Sequence, residues 1–223
     1  MKTRVFMVIL IAVFGIVLIA LPLLILNALI GGNDIIYYDR SNAEDALRFK
    51  ERYEALNYVF DADGNPRHRV MYIPEVNRVV FIEFDELTEL IDSGTGVFFF
   101  GRPQCPWCRV LFPVLLEAAE NEGMYIHYYY YIDFDRSEFN ENYVRILDKL
   151  HDYLPVDVTN QSPGSPDFDE NLKRVTLPHV FFVKNGVVVN QIMFNRHPLL
   201  EDENSEYLYD LLVNMFRSIK NAH

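Results

Sequence analysis

The chain contains two cysteines, Cys105 and Cys108, three positions apart in the run Cys105-Pro106-Trp107-Cys108. A pair this close does not make the disulfide framework of a small secreted domain. Stability has to come from an apolar core, and whatever the two sulfurs do, they do together. Apolar residues 97–100 lead into the pair. Leu111, Val114, Leu115, Ala118 and Ala119 follow it as one helical stripe, which Gly123 closes. The pair thus sits where a strand hands over to a helix. Across 223 residues, 50% hydrophobic and 14% aromatic content supplies core material for one or two domains and excludes a disordered chain.

The start of a helix leaves backbone N–H groups unpaired and carries the positive end of the helix dipole. Both favour a thiolate at Cys105, and the thiolate is the nucleophile. Cys108, one turn on, is placed to attack the mixed disulfide formed on Cys105, release the reduced substrate and close the ring. Pro106 suits the first helical position, where its missing N–H loses no bond. Arg102 and Arg109 are near enough in sequence to add positive charge, although a solvated surface place is the simpler reading for both. Trp107, in a turn between the cysteines, is expected to offer an exposed apolar face to partners. Half a zinc site is the competing use of such a pair. Zinc usually takes four ligands, however, and His68, His127, His151, His179, His197 and His223 show no paired spacing. An iron–sulfur cluster shared between two chains has as little support. No metal and no soluble cofactor are expected.

Residues 5–33, between Arg4 and Asp34, hold 29 uncharged and mostly apolar positions, where about 20 apolar residues suffice to span a bilayer. A cleaved signal peptide would carry a shorter apolar stretch ending at small residues spaced A-x-A. Here Leu26, Leu29 and Ile30 stand two positions before the small residues Ala28, Gly31 and Gly32. Pro22 and Asn27 fall near the far end, where a membrane helix tolerates them. Lys2 and Arg4 precede the span and Asp34 and Asp39 follow it. The expected arrangement is a single-pass cell-membrane anchor over 1–33 with a cytoplasmic N-terminus, and everything after it outside. Beyond the anchor, 18 basic residues face 32 acidic ones, a net charge of −14, which gives no sign of a surface that clings to anionic lipid. The whole chain, at −12, repels nucleic-acid backbones and excludes nucleic acid as a partner.

After the anchor, residues 34–78 read as an N-terminal extension. Ala46, Phe49, Tyr53 and Leu56 mark an amphipathic connector helix over 41–57, with Ser41 or Asn42 as its cap. Residues 58–60 and 69–73 flank the turn residues 61–66 as a hairpin. The fragment Asp61-Ala62-Asp63-Gly64-Asn65 looks like half a calcium loop, but the downstream ligands are missing, so a turn is expected. From residue 79 strands and helices alternate: a strand over 79–84, a helix carrying Leu87, Leu90 and Ile91 that stops at Gly94, and the strand 97–100. The helix from Cys105 follows, then a strand over 124–132 and a helix marked by Tyr143, Ile146, Leu147, Leu150 and Leu154. After a loop over 155–169 come the strand 180–183, an Asn185-Gly186 hairpin turn, the strand 187–193, and a last helix carrying Leu208, Leu211, Leu212, Met215 and Ile219. The formal glycosylation triplet at 160–162 carries no weight.

Residues 96–113, Gly-Val-Phe-Phe-Phe-Gly-Arg-Pro-Gln-Cys-Pro-Trp-Cys-Arg-Val-Leu-Phe-Pro, resemble the strand, active-site turn and proline-kinked helix of the thioredoxin superfamily. Pro113 stands in the place of the kink proline. Thr176-Leu177-Pro178-His179, running on to Asn185-Gly186, resembles that family's cis-proline loop, strand and hairpin. The resemblance covers residues 79–223 and implies an α/β thioredoxin fold, a central mixed β-sheet flanked by helices, behind the N-terminal transmembrane helix. It implies Cys105 and Cys108 as the catalytic pair and Pro178 as the cis-proline facing them. Leu177 then offers its backbone, and Trp107 its face, to a bound substrate strand. Pro106, Pro113 and His179 have structural or tuning roles; His179, next to the cis-proline, is expected close to the thiols, where it tunes their pKa or, at least as readily, has a plain surface or packing role. The tethered arrangement is also similar to thioredoxin-like proteins of Gram-positive bacteria, including those called bacteriocin transport accessory proteins. Two features depart from the pattern. Phe99 stands where the family often has a buried acid that moves protons for the second cysteine, and the stretch between Cys108 and Pro178 is longer than a minimal member needs.

The expected activity is thiol–disulfide exchange with protein substrates, with an external redox partner to regenerate the pair. The alternative is a non-catalytic docking module for a secretion or cell-envelope partner, in which the cysteines form a structural disulfide.

Overall fold

A computed structural model describes residues 42–130, 141–159, 162–193 and 205–220. The expected anchor over 1–33, the last two positions of the expected 124–132 strand, most of the glycosylation triplet, His197 and His223 lie outside these residues. Among the described residues no helix is long and apolar enough to cross a membrane.

Five strands form one mixed sheet in the order β1-β3-β2-β4-β5, where β1 is Val79–Phe81, β2 Gly96–Gly101, β3 Ile126–Tyr130, β4 His179–Lys184 and β5 Val187–Met193. β1, β3 and β2 run parallel, while β4 is antiparallel to both β2 and β5. The helices are α1 (Ala43–Glu54), α2 (Phe84–Asp92), α3 (Pro106–Glu122), α4 (Glu141–Lys149) and α5 (Ser205–Lys220). The elements found from residue 79 onward alternate as the apolar periodicity predicts.

Successive strand residues point to opposite faces, so each central strand feeds two cores. Val97, Phe99, Tyr128, Val180 and Phe182 pack with Phe49, Leu111, Phe112, Leu115, Leu212 and Phe216 from α1, α3 and α5. Phe98, Phe100, Tyr129, Phe181 and Val183 pack with Leu87, Leu90 and Ile91 of α2 and Ile146 of α4. All six residues of β2 are buried, the continuous apolar reading of a strand covered on both sides. β1 is shorter than the apolar run suggests, because Glu83 and Glu86 form a reciprocal capping box that starts α2. At the β4–β5 hairpin both Asn185 and Gly186 have positive φ, and a Cβ on Gly186 would lie 2.3 Å from the Asp92 carbonyl oxygen. Only glycine fits there. The stretch 155–174 is more than an open loop: an antiparallel bridge between Val156 and Lys173 closes its base.

The expected connector helix is part of the core. Ala46, Phe49 and Tyr53 of α1 are buried, and the Phe49 ring lies 4.5 Å from that of Phe112. Asn42 occupies the N-cap without capping; its side-chain amide donates to the Asn77 carbonyl.

The expected hairpin is corrected. Its turn forms, with the Asp61 carboxylate accepting from the N–H groups of Asp63 and Asn65, which uses this acid on its own backbone. Beyond one isolated Phe60–Pro66 bridge and the Arg67 N–H to Val59 O bond that flanks it, however, residues 69–73 make no ladder with 58–60. Side chains take the place of a partner strand. The Asn57 amide accepts from Met71 N–H at 3.0 Å and donates to Met71 O at 2.6 Å. Glu54 accepts from Ile73 N–H, Lys50 donates to Ile73 O, and Arg109 Nε donates to Arg69 O at 2.6 Å. The segment is a strap laid along α1 and the start of α3.

Replacing Asn57 by Ala removes both Met71 bonds and a third, from Arg109 Nη2 to Asn57 Oδ1 at 2.7 Å. Unmet buried groups cost about 1–3 kcal/mol each before relaxation. Urea unfolding of Asn57→Ala is expected to show a loss of about 2–4 kcal/mol, whereas Tyr58→Ala, at an exposed neighbour, stays within about 0.5 kcal/mol.

Candidate active site

β2 ends at Gly101, where the Phe99 ring leaves no room for a side chain: an added Cβ would lie 1.9 Å from it. Four residues later Cys105 caps α3, with its backbone extended and its Sγ accepting from the Cys108 N–H at 3.4 Å. Pro106 is the first helical residue and sacrifices no bond there. Inside α3, Pro113 lacks the N–H that would otherwise bond the Arg109 carbonyl.

Both thiols are free and differ sharply in setting. Cys105 is 6% exposed and Cys108 0%. The Cys105 thiol falls from an ordinary 9.0 to about 7, chiefly because the Cys108 side chain hydrogen-bonds to its sulfur. The N–H groups of Cys108 and Trp107 and the charge of Arg102 add to this, against the opposing pull of burial. Cys108 moves the other way, well above 9.0, because it is desolvated and faces the Cys105 sulfur. Geometry thus separates a thiol that ionises near neutral pH from one that stays protonated there.

The second loop meets this pair from across the sheet. The Leu177–Pro178 peptide is cis, and the Leu177 carbonyl oxygen lies 3.7 Å from Cys105 Sγ, accepting from the thiol when it is protonated. Pro178 is buried and Leu177 half-buried. Trp107 is 45% exposed beside the nucleophile, so it does present an apolar face to solvent.

His179 lies elsewhere. The strand alternation that sends Val180 and Phe182 to the thiol face sends His179 to the other, where its ring stacks on Phe181 at 3.9 Å and its Nε2 meets Gln191 Oε1 at 2.8 Å. Burial pushes its pKa down to about 4, so at neutral pH it carries no charge with which to tune a thiol.

Arg109 is the other correction. It is fully buried, and its guanidinium donates to the Arg69, Tyr53 and Pro103 carbonyls and to the Asn57 side-chain oxygen. None of these partners is a carboxylate, and desolvation accordingly lowers its pKa. Its spacing was a usable signal, since Arg109 precedes the buried Phe112 and Leu116 by three and seven positions and so shares their helix face. Tyr53 was marked only as part of the apolar stripe of its helix, and Asn57, which with it completes the back of the site, carried no mark. Phe99, where an acid is common in the resembling family, packs against Phe112 and Tyr128 at centroid distances of 4.3 and 5.7 Å. Among the described residues no group of three or more His, Cys, Asp or Glu side chains is placed to hold a metal ion.

Alkylation of the reduced protein by iodoacetamide is expected to modify Cys105 with a midpoint at about pH 7 and to leave Cys108 untouched under native conditions. Arg102→Gln should raise that midpoint by about a few tenths of a unit, the size of a screened surface charge.

No family model matches the chain, and no curated protein matches it. Among solved structures it is similar to the J-Trx1 fragment of ERdj5, at 17% identity over 82% of this chain and 83% of that one, with a TM-score of 0.32.

Proposed function

We propose that the chain is a thiol–disulfide oxidoreductase of the thioredoxin superfamily that exchanges electrons with protein disulfides through Cys105 and resolves the mixed disulfide with Cys108. The observation that carries this reading is the asymmetry of the pair: a helix-capping sulfur with a pKa of about 7 above a buried partner held well above 9.0. A structural disulfide needs no such division of roles. The Leu177 carbonyl beside the nucleophile and the half-exposed Trp107 support docking of an extended substrate strand across the site. The mixed sheet, with the pair at the end of its central strand and the cis peptide opposite, is the arrangement expected of that superfamily.

The direction favoured is reduction of substrates. Thiolate pKa values in this chemistry run from about 7 in weakly stabilised reductants to about 3.5 in strong oxidants, and Cys105 sits at the upper end. Because the pair is the chain's whole thiol complement, another protein or a small thiol has to regenerate it. The uncharged stretch over 5–33 behind Lys2 and Arg4 supports a single-pass membrane anchor with the redox domain outside the cell.

Two measurements test this. Cys108→Ser should accumulate a mixed disulfide with an oxidised protein substrate, and Cys105→Ser should accumulate none. Equilibrated against glutathione, the native pair should titrate nearer −270 than −120 mV. A Cys105→Ser variant that keeps full function in cells would move the protein to the docking-module reading.

A further inference from the structure

Positive charge is the scarcer sign in this chain, and much of it is spent on ion pairs. Lys50, Arg78, Lys149, Arg174, Arg217 and Lys220 each meet a carboxylate. Arg48 and Arg52, one turn apart on α1, do not. The Arg48 guanidinium lies 4.2 Å over the Phe81 ring and that of Arg52 4.5 Å over the Tyr130 ring. Arg145 of α4 lies over Phe84 at 4.9 Å. Among the described residues none of the three has an ion pair, and Arg52 Nη1 is buried with no hydrogen-bond partner. Cation–π attraction holds a guanidinium in place without using any of its N–H donors. The two acids beside the arginines are engaged on backbone groups: Glu83 caps α2 through the Glu86 N–H, and Asp45 accepts from the Phe81 N–H at 3.1 Å.

A cleft of about 200 Å³ opens among Arg48, Phe81, Glu83, Phe84 and Tyr130, and it shares a rim with the thiols. β1, β3 and β2 are parallel, so their C-terminal ends lie at one edge of the sheet, the edge where open parallel sheets bind ligands. Phe81 ends β1, and Tyr130 ends β3 paired with Gly101 at the end of β2. Cys105 follows Gly101 by four residues. Neighbouring strands stand about 5 Å apart and four residues reach at most about 14 Å, so the Tyr130 and Cys105 backbones are within about 20 Å. About six extended residues of a substrate cover that span.

We propose that Arg48 and Arg52 bind acidic side chains of the protein substrate, within about six residues of its reactive cysteine. This rests on the oxidoreductase reading and names the disulfides that such an activity favours. The overall charge points the other way. Beyond residue 33 the chain has 18 basic against 32 acidic residues, a balance that repels an acidic segment. A preference for acidic substrates therefore requires a local cationic site.

The experiment uses the full chain, reduced and in neutral detergent, with two short peptides that are each closed by one disulfide and differ only in carrying glutamates or glutamines beside it. Two electrons and two protons pass from the Cys105–Cys108 pair to the peptide, which leaves as a dithiol. The fluorescence of Trp107, the chain's single tryptophan, reports the reaction. At low salt the glutamate peptide should react about fivefold faster than the glutamine peptide, and about 1 M salt should remove most of the difference. In Arg48→Gln/Arg52→Gln the ratio should fall to one or below. In Arg217→Gln, which loses an ion pair to Glu122 at the other end of α3, it should stay at about five. Equal rates or a faster glutamine peptide in the native chain overturn the proposal and leave the cleft to acids of this chain, and a ratio that survives in the folded double variant overturns it as well. Should that variant not fold, the native ratio and its salt dependence decide. If neither peptide is reduced, the oxidoreductase reading fails, and calorimetry with copies carrying serine for cysteine decides the cleft: the glutamate copy should bind about fivefold more tightly than the glutamine copy, and equal affinities overturn the proposal.

Discussion

The first acceptor at the head of α3 is a sulfur. Helix starts are ordinarily capped by a side-chain oxygen; here Cys105 Sγ takes that place and accepts from the Cys108 N–H. One contact therefore serves as cap, as thiolate stabiliser and as the register that holds the two cysteines one turn apart. Much of the architecture exists to hold it. β2, buried on both faces, ends just before the turn, and β4, pairing β2 in antiparallel register, brings the Leu177 carbonyl up to the same sulfur.

The segment ahead of β1 belongs to that support. A guanidinium buried without a carboxylate is expensive, and only close pairing makes it tolerable. Arg109 meets this with four neutral oxygens, drawn from α1, from the 3-10 turn after it, from the strap and from Pro103, two residues before the nucleophile. It joins the back of the Cys105–Cys108 turn to the N-terminal segment. Removing any one partner strands a charge rather than a neutral group, so α1 and the strap are coupled to the thiols more tightly than their distance in sequence suggests.

What was legible in the sequence was local. The strand-to-helix handover at Cys105, the helical stripes, the Asn185-Gly186 turn and the order of elements from residue 79 all follow from periodicity and turn chemistry within a few residues. What was illegible depends on contacts 14 to 72 positions apart. Residues 69–73 have strand composition but take their hydrogen bonds from the Asn57, Glu54 and Arg109 side chains, which no pattern of alternation announces. Being next to Pro178 placed His179 near the thiols in sequence, whereas the pleat of β4 turns it to the opposite face. Arg109 looked like a surface charge because charge usually is; its spacing to Phe112 and Leu116 pointed inward, and packing prevailed over composition.

The same packing explains how the protein can do without an acid beneath the pair. A carboxylate in the place of Phe99 would need its own desolvation offset in a layer otherwise made of Phe49, Phe112, Tyr128 and Phe182. Phenols bring a polar atom into such a layer on an aromatic ring that packs as well as phenylalanine does. Being neutral, they add a donor without a second negative charge to compete with the Cys105 thiolate. A buried acid there would raise the pKa of both sulfurs by repulsion; a neutral phenol does not. With Phe99 in that place, no buried carboxylate opposes ionisation of Cys105, whose thiol falls to about 7, while burial holds Cys108 well above 9.0.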